Sequence, residues 1–316
     1  LYSWLSRLLD KGNPETRALV VFHLSSMLRK ISSSIVIRLL RSAISKEKQL
    51  TNGIVDSLSL VVEDLRKDID RFDRKEILDL RKRLHQRLKE VPDLYYNAQE
   101  LLDFAFYGID SVIDFVGSRL YKSRQISEKA TREQRYIAIP FDGIDCITRQ
   151  IRSFDDYEKL MTVVIAWHQR ELVKGYLKHL MTPLGTLVDN KTGKSYVVEY
   201  IEKQMKNNNV NSAIVASEFL PFNKKTIPVF VEVAEKAMAW GKSKDVEELL
   251  DHKRAWSSRL GEPPLGLPEI KDLFKKMCEI TKSGTLSMLI NRQIDEISEI
   301  IDRERQYEEE LWNPRA

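Results

Sequence analysis

Apolar residues recur at offsets of three and four along almost the whole chain. In "RALVVFHLSSMLRKI" (17–31), Val20, Val21, Leu24, Met27, Leu28 and Ile31 fall on one stripe, and in 54–69 Ile54, Leu58, Val61, Val62, Leu65 and Ile69 do the same. A half-buried strand would alternate instead, so this spacing selects amphipathic helices. Only 12 Gly and 10 Pro punctuate the 316 residues, which suits long helices better than the many turns of a β protein. The expected fold is all-α, some ten to twelve helices in a multi-helix array or two packed helical bundles.

Local signals place several ends. "NPETRALVV" sets Asn13 as an N-cap, Pro14 at the first helical position and Glu15 in the positive end of the helix dipole. A long helix is expected over 149–181, with further helices at about 228–241, 244–259, 268–282 and 285–312. "GEPPLGLP" makes a rigid break between the second and third of these, and "QMKNNNVNS" reads as a polar loop. "TLVDNKTGKSYVV" has turn chemistry between two β-prone runs and predicts a small β-hairpin at 186–198. The last helix carries Ile290, Ile294, Ile297, Ile301 and Leu311 on a heptad-like stripe interrupted by Glu304 and Glu308. A packed terminal helix and a short coiled-coil seam both fit, and the seam offers a route to an oligomer.

"YKSRQISEKATREQR" (121–135) is poor in strong hydrophobes and marks a boundary between an N-terminal helical region, 1–125, and a C-terminal one, 126–316. Residues 1–125 hold 22 Lys and Arg against 17 Asp and Glu, and residues 126–316 hold 29 against 30. The N-terminal region therefore carries the whole basic excess, a weak pointer to an acidic partner.

Composition bounds the setting. With 42% hydrophobic and 31% charged residues, the chain reads as a soluble globular protein. Cys146 and Cys278 form neither a disulfide framework nor a Cys-x-x-Cys knuckle, which favours an intracellular, cytoplasmic setting. No apolar run reaches the roughly 18–20 residues of a membrane span. The chain opens on Leu1, so a cleaved or excised piece with an anchor upstream is compatible with it.

One short pattern recurs: "FYGIDSVI" (106–113) returns as "FDGIDCIT" (141–148). Paired carboxylates, Asp110 and Asp145, could do acid/base work only if held in one cleft in different environments. Nothing in the sequence brings them together. The first copy reads as mid-helix, with Gly108 allowing close helix packing; the second, after Pro140, reads as a helix start.

Other chemistries lack their signatures. His168 and His179 sit three turns apart, too far to share a metal, and "HQRE" reverses the Glu-x-x-His of di-iron bundles. "SKEK" (45–48) is a bare Ser-x-x-Lys, "KTGK" (191–194) reads as a turn, and no nucleophile elbow or phosphate loop is present. No enzyme, metal or cofactor is expected. The basic helix "RKEILDLRKRLHQRLKE" offers Arg81, Lys82, Arg83 and Arg87 as candidate phosphate contacts. Against this stand the acids interleaved upstream and the lack of a nearby aromatic platform. The expected function is a non-catalytic interaction or scaffold subunit of a larger assembly, binding protein partners through grooves between helices. The competing readings are a nucleic-acid-binding protein using the basic helix at 74–90, and an enzyme of unrecognised signature.

Overall fold

A computed structural model describes residues 2–27, 30–46, 52–92, 94, 98–129, 136, 138–140, 143–168, 171–256 and 266–312. Among the described residues there are sixteen α-helices and no strand. The chain divides into two compact units, Leu1–His179 and Leu180–Ala316. The expected boundary near 125 falls inside a continuous helix; of 121–135, residues 130–135 lie outside the described residues.

Unit 1 holds α1 (Tyr2–Lys11), α2 (Pro14–Met27), α3 (Ser33–Lys46), α4 (Asn52–Lys67), α5 (Arg74–Leu88), α6 (Ala98–Ala105), α7 (Ile109–Lys129), α8 (Ile144–Thr148) and α9 (Phe154–His168). Most of these helices pack on the next but one: α1 on α3 and α3 on α5, α2 on α4, α4 on α6 and α6 on α8, and α7 on α9. This is the stacking of helix pairs in α-solenoids, two layers of helices with the apolar stripes between them. Stacked neighbours run parallel. A Cβ on Gly53 would lie 3.8 Å from the Ala18 Cβ, and further along Ser25 hydrogen-bonds to Asp64, so α2 and α4 advance together. Most of the predicted stripes are buried, Val20, Val21 and Leu24 on α2 and Ile54, Leu58, Val61, Val62 and Leu65 on α4; Met27, Ile31 and Ile69 are half-buried, and Leu28 lies outside the described residues. Asn13 caps α2 as expected, accepting from Thr16 N at 2.8 Å.

The helix α10 (Glu171–Thr186) straddles the division. Unit 2 continues with α11 (Tyr196–Lys206), α12 (Val210–Phe219), α13 (Ile227–Ala239), α14 (Ser243–Trp256), α15 (Leu267–Ile280) and α16 (Gly284–Trp312). Here α12 packs on α14, α13 on α15 and α14 on α16, with α11 against α12 and α15 against α16.

The single helix expected over 149–181 is instead the turn "RQIRS" followed by α9 and most of α10; residues 169 and 170 lie outside the described residues. The hairpin at 186–198 is not formed. One isolated antiparallel bridge joins Val188 and Ser195, closing a turn in which Asp189 Oδ1 accepts from Lys191 N and Thr192 N, and Gly193 takes a φ of 68°. The β-prone "YVV" enters α11, because Tyr196, Val197, Tyr200, Ile201 and Met205 make a buried helical stripe. Burial outweighs β propensity there. The polar-loop reading of 204–212 missed that Asn209 caps α12, through Ser212 N at 3.5 Å.

In α16, Leu286, Ile290, Gln293 and Ile297 are buried against unit 2, so the first half of the stripe is a packed helix. Glu235 caps its start, its carboxylate accepting from Thr281 Oγ1, Lys282 N and Ser283 N. Burial opposes the charge of Glu235, but these hydrogen bonds outweigh it and lower its pKa.

Candidate functional site

The basic helix α5 begins at Asp73, whose side chain accepts from Lys75 N at 2.9 Å and Glu76 N at 3.0 Å. Ile77, Leu80, Leu84 and Leu88 turn inward, as the narrow stripe predicts. The four candidate phosphate contacts then separate into two pairs.

Arg81 and Arg87 reach into the fold. Arg81 Nε donates to Phe104 O at 2.5 Å, at the C-terminal end of α6, and its guanidinium lies 5.3 Å from the Phe104 ring. Burial lowers its pKa from the ordinary arginine value. Arg87 Nε donates to Ile44 O at 3.0 Å, near the end of α3. Lys82 and Arg83 are exposed, Arg83 pairing with Asp79 at 2.9 Å within its own helix.

The use of cations on helix ends is general in this protein. Arg119 on α7 is fully buried; its Nη1 donates to Leu88 O (2.9 Å) and Val91 O (2.7 Å), its Nε to Ala138 O (3.0 Å), and the Tyr136 ring lies 4.6 Å away. Lys236 Nζ donates to Met205 O at 2.5 Å, at the end of α11. Lys253 Nζ, buried over the Phe230 ring, donates to Glu218 O (2.8 Å) and Leu220 O (2.6 Å) at the end of α12. A helix leaves its last carbonyls unbonded and its C-terminus partly negative, so a cation from another helix satisfies both. These residues hold the stack together.

Two further groups resemble catalytic parts. His85 is buried among Phe106, Tyr107 and Phe115, with Nε2 2.9 Å from Asp114 Oδ2; Lys89 Nζ reaches the same oxygen at 2.7 Å. Burial lowers the His85 pKa, against the pull of Asp114, so the ring is neutral near pH 7. Its Nδ1 has no hydrogen-bond partner among the described residues, and the hydrogen bond of the ring runs to Asp114. Cys146 is buried, donates to Gln99 O at 3.3 Å, and is pushed up to about 12 by burial, which makes it an inert thiol.

The repeated Phe-x-Gly-Ile-Asp pattern resolves into a helix start used twice. Gly108 stands immediately before α7, not within a helix, with a φ of 141°; Gly143 is the N-cap of α8. In both copies Ile, then Asp, open the helix, Ile109 and Ile144 being buried and Asp110 and Asp145 exposed. The carboxylates sit in the positive end of two helix dipoles, Asp110 at 3.6 Å from Lys159 Nζ. Close packing belongs to Gly143, where a Cβ would meet Leu102 Cδ1 at 2.5 Å; around Gly108 the space is open.

Of the remaining candidates, His168 is buried, while the side chains of His179 and Glu171 and all of Lys48 lie outside the described residues. Among the described residues no group of three or more His, Cys, Asp and Glu is placed to hold a metal ion, and no helix is long and apolar enough to cross a membrane. No protein-family model matches the chain, and no curated protein matches it in sequence.

What the sequence did not signal is an outward apolar patch. Leu19 (57% exposed) and Phe22 (48%) stand on α2, and Leu60 (45%) on α4. The parallel pairing of these helices brings Leu60 level with the Phe22 turn, and Glu15, Asp56 and Glu63 are exposed on the same two helices. α2 carries Leu19 and Phe22 outside its buried stripe of Val20, Val21 and Leu24, so the sequence alone did not mark them as a separate outward face.

Proposed function

We propose that this protein is a non-catalytic helical scaffold, a subunit that binds a protein partner through a helix-lined groove. The observation that carries the reading is the patch of Leu19, Phe22 and Leu60 on adjacent parallel helices. Large apolar side chains clustered on an outward face mark an interaction surface, whereas scattered ones do not. A groove between two helices takes the apolar face of an amphipathic helix, read at i, i+3/i+4 and i+7. The carboxylates of Glu15, Asp56 and Glu63 would meet basic residues flanking that face. The engagement of Arg81, Arg87, Arg119 and Lys253 with helix ends supports the same reading, since these charged residues act in the frame.

The test is cross-linking of the purified chain to its co-purifying protein, with the attachment points mapped by mass spectrometry. Cross-links should centre on α2 and α4, and replacing Leu19, Phe22 and Leu60 by Ser should remove them while the far-ultraviolet circular dichroism is unchanged. Cross-links that avoid these helices and persist in the variant contradict the proposal.

A further inference from the structure

The layers of unit 1 separate charge. The helices α1, α3 and α5, stacked on one another, carry eleven Lys and Arg against three Asp and Glu. The other stack, α2, α4 and α6, carries three against six. Of the acids that interleave with bases along the sequence before α5, Glu63 and Asp64 lie on α4, where both pair with Lys67, while Asp68, Asp70 and Asp73 stay beside the start of α5. The basic excess of the N-terminal region is concentrated on one row of helices.

That row has an outward stripe of its own. On α1, Trp4, Arg7 and Lys11 are exposed at offsets of three and four, while Leu5 and Leu9 are buried. On α3 Arg38 is exposed, and on α5 Lys75, Leu78 and Lys82 are among the exposed residues. Bonds across the surface tie the three helices together: the Arg38 guanidinium lies 5.1 Å from the Tyr2 ring, and Arg41 Nε is 2.9 Å from Asp79 Oδ2. Three neighbouring helices at about 8–10 Å spacing make a face on the order of 20 Å across. Trp4, 60% exposed, presents an indole at its edge.

The geometry points to a binding face for single-stranded nucleic acid on α1, α3 and α5, with Arg7, Arg38, Lys75 and Lys82 contacting phosphates and Trp4 stacking on a base. The fold weighs against both objections that the sequence raised: the row holds eleven bases to three acids, and Trp4 brings an aromatic side chain to it. An acidic protein segment would use the cations but leave the indole idle. A base on Trp4 adds stacking, worth about 1–3 kcal/mol per base, to counterion release at the phosphates. Arg81 and Arg87 take no part, being bonded to helix ends. This inference is independent of the protein-binding patch on α2 and α4.

The experiment is fluorescence anisotropy of a labelled polyuridylate of about 16 nucleotides, within the site sizes of single-strand binders, titrated with the full chain over a range of salt. Wild type should bind at physiological salt, with quenching of tryptophan emission. The variant Arg7→Gln, Arg38→Gln, Lys75→Gln, Lys82→Gln should flatten the slope of log affinity against log salt by up to about 0.7 for each phosphate no longer neutralised. Trp4→Ala should lower affinity without changing that slope. A charge-matched control, Lys191→Gln, Lys206→Gln, Lys224→Gln, Lys225→Gln, should bind as wild type. No binding at physiological salt, or equal loss in the control, overturns the proposal. So does binding to phosphatidylserine vesicles or to polyglutamate in place of the oligonucleotide.

Discussion

Arg119 on α7 donates from Nη1 to the carbonyl of Leu88, 2.9 Å away, at the last residue of α5. The same guanidinium serves Val91 and Ala138, so one buried side chain closes the end of a helix and holds the segment that follows it. Arg119→Leu leaves three carbonyls without this donor, at about 1–3 kcal/mol each where they stay buried. Urea unfolding should therefore show a loss of at least about 3 kcal/mol. Arg83→Gln removes only an exposed pair within one helix and should cost about 0–1 kcal/mol. Equal losses would contradict a framework role for Arg119.

Three glycines should respond differently to alanine. At Gly108 the positive φ of 141° makes any side chain strained although the space is open, with a cost of about 1–3 kcal/mol. At Gly143 the backbone tolerates a Cβ but Leu102 must move, an overpacking cost of the same order, about 1–3 kcal/mol. Gly117 lies inside α7 with nothing near its Cβ, and Gly117→Ala should stabilise by about 0.5–1 kcal/mol. Thermal melts of the three variants check the order. Asp110→Asn and Asp145→Asn should each cost no more than about 1 kcal/mol, the worth of a first-turn carboxylate.

Burial pushes the Lys253 ammonium down to about 7 from 10.5, against the attraction of the Glu218 carboxylate. Between those values the unfolded chain binds the proton and the folded chain releases it. The unfolding free energy contributed by this group therefore climbs as pH rises from about 7 to 10.5 and is flat below. Lys253→Met should be less stable at every pH, because Glu218 O and Leu220 O lose their donor, and should lack this climb. Parallel pH profiles for wild type and variant would show that Lys253 stays charged throughout.

His85 gives the acid arm. Its folded pKa lies below the ordinary 6.5, so as pH falls through 6.5 the unfolded state takes up a proton first and stability drops until the folded ring titrates. Asp114, whose pKa is lowered from 3.8, adds a further loss only at more acid pH. His85→Phe should flatten the profile just below 6.5, read by denaturant midpoints. An unchanged profile would place the acid sensitivity elsewhere.

Helices were legible because their apolar stripes are long and regular; those of α2, α4 and α5 are mostly buried as their spacing requires. α12 was not, since it is only ten residues long, follows a run of polar residues, and buries the small or polar Ala213, Ala216 and Ser217 beside Val210, Ile214 and Phe219, which blurs its stripe. Nor was α11, where local β propensity and turn residues pointed the other way until Tyr200 and Ile201 found their core. The basic helix shows why the candidate site was harder. Sequence spacing makes Arg81, Lys82, Arg83 and Arg87 one cluster, but the carbonyls that take up Arg81 and Arg87 come from α6 and α3. Likewise Leu19, Phe22 and Leu60 become a patch only when α2 and α4 stack, a relation between segments that no local window contains.

Reception of a protein partner on the face of α2 and α4 is tested most directly by capture of the tagged chain under native conditions. The bound fraction is then analysed by mass spectrometry and light scattering. The wild type should return with a defined partner at fixed stoichiometry, and the variant carrying Leu19→Ser, Phe22→Ser and Leu60→Ser should return folded and alone. A wild type that returns alone, or a triple variant that keeps the same partner at the same stoichiometry, would contradict the account.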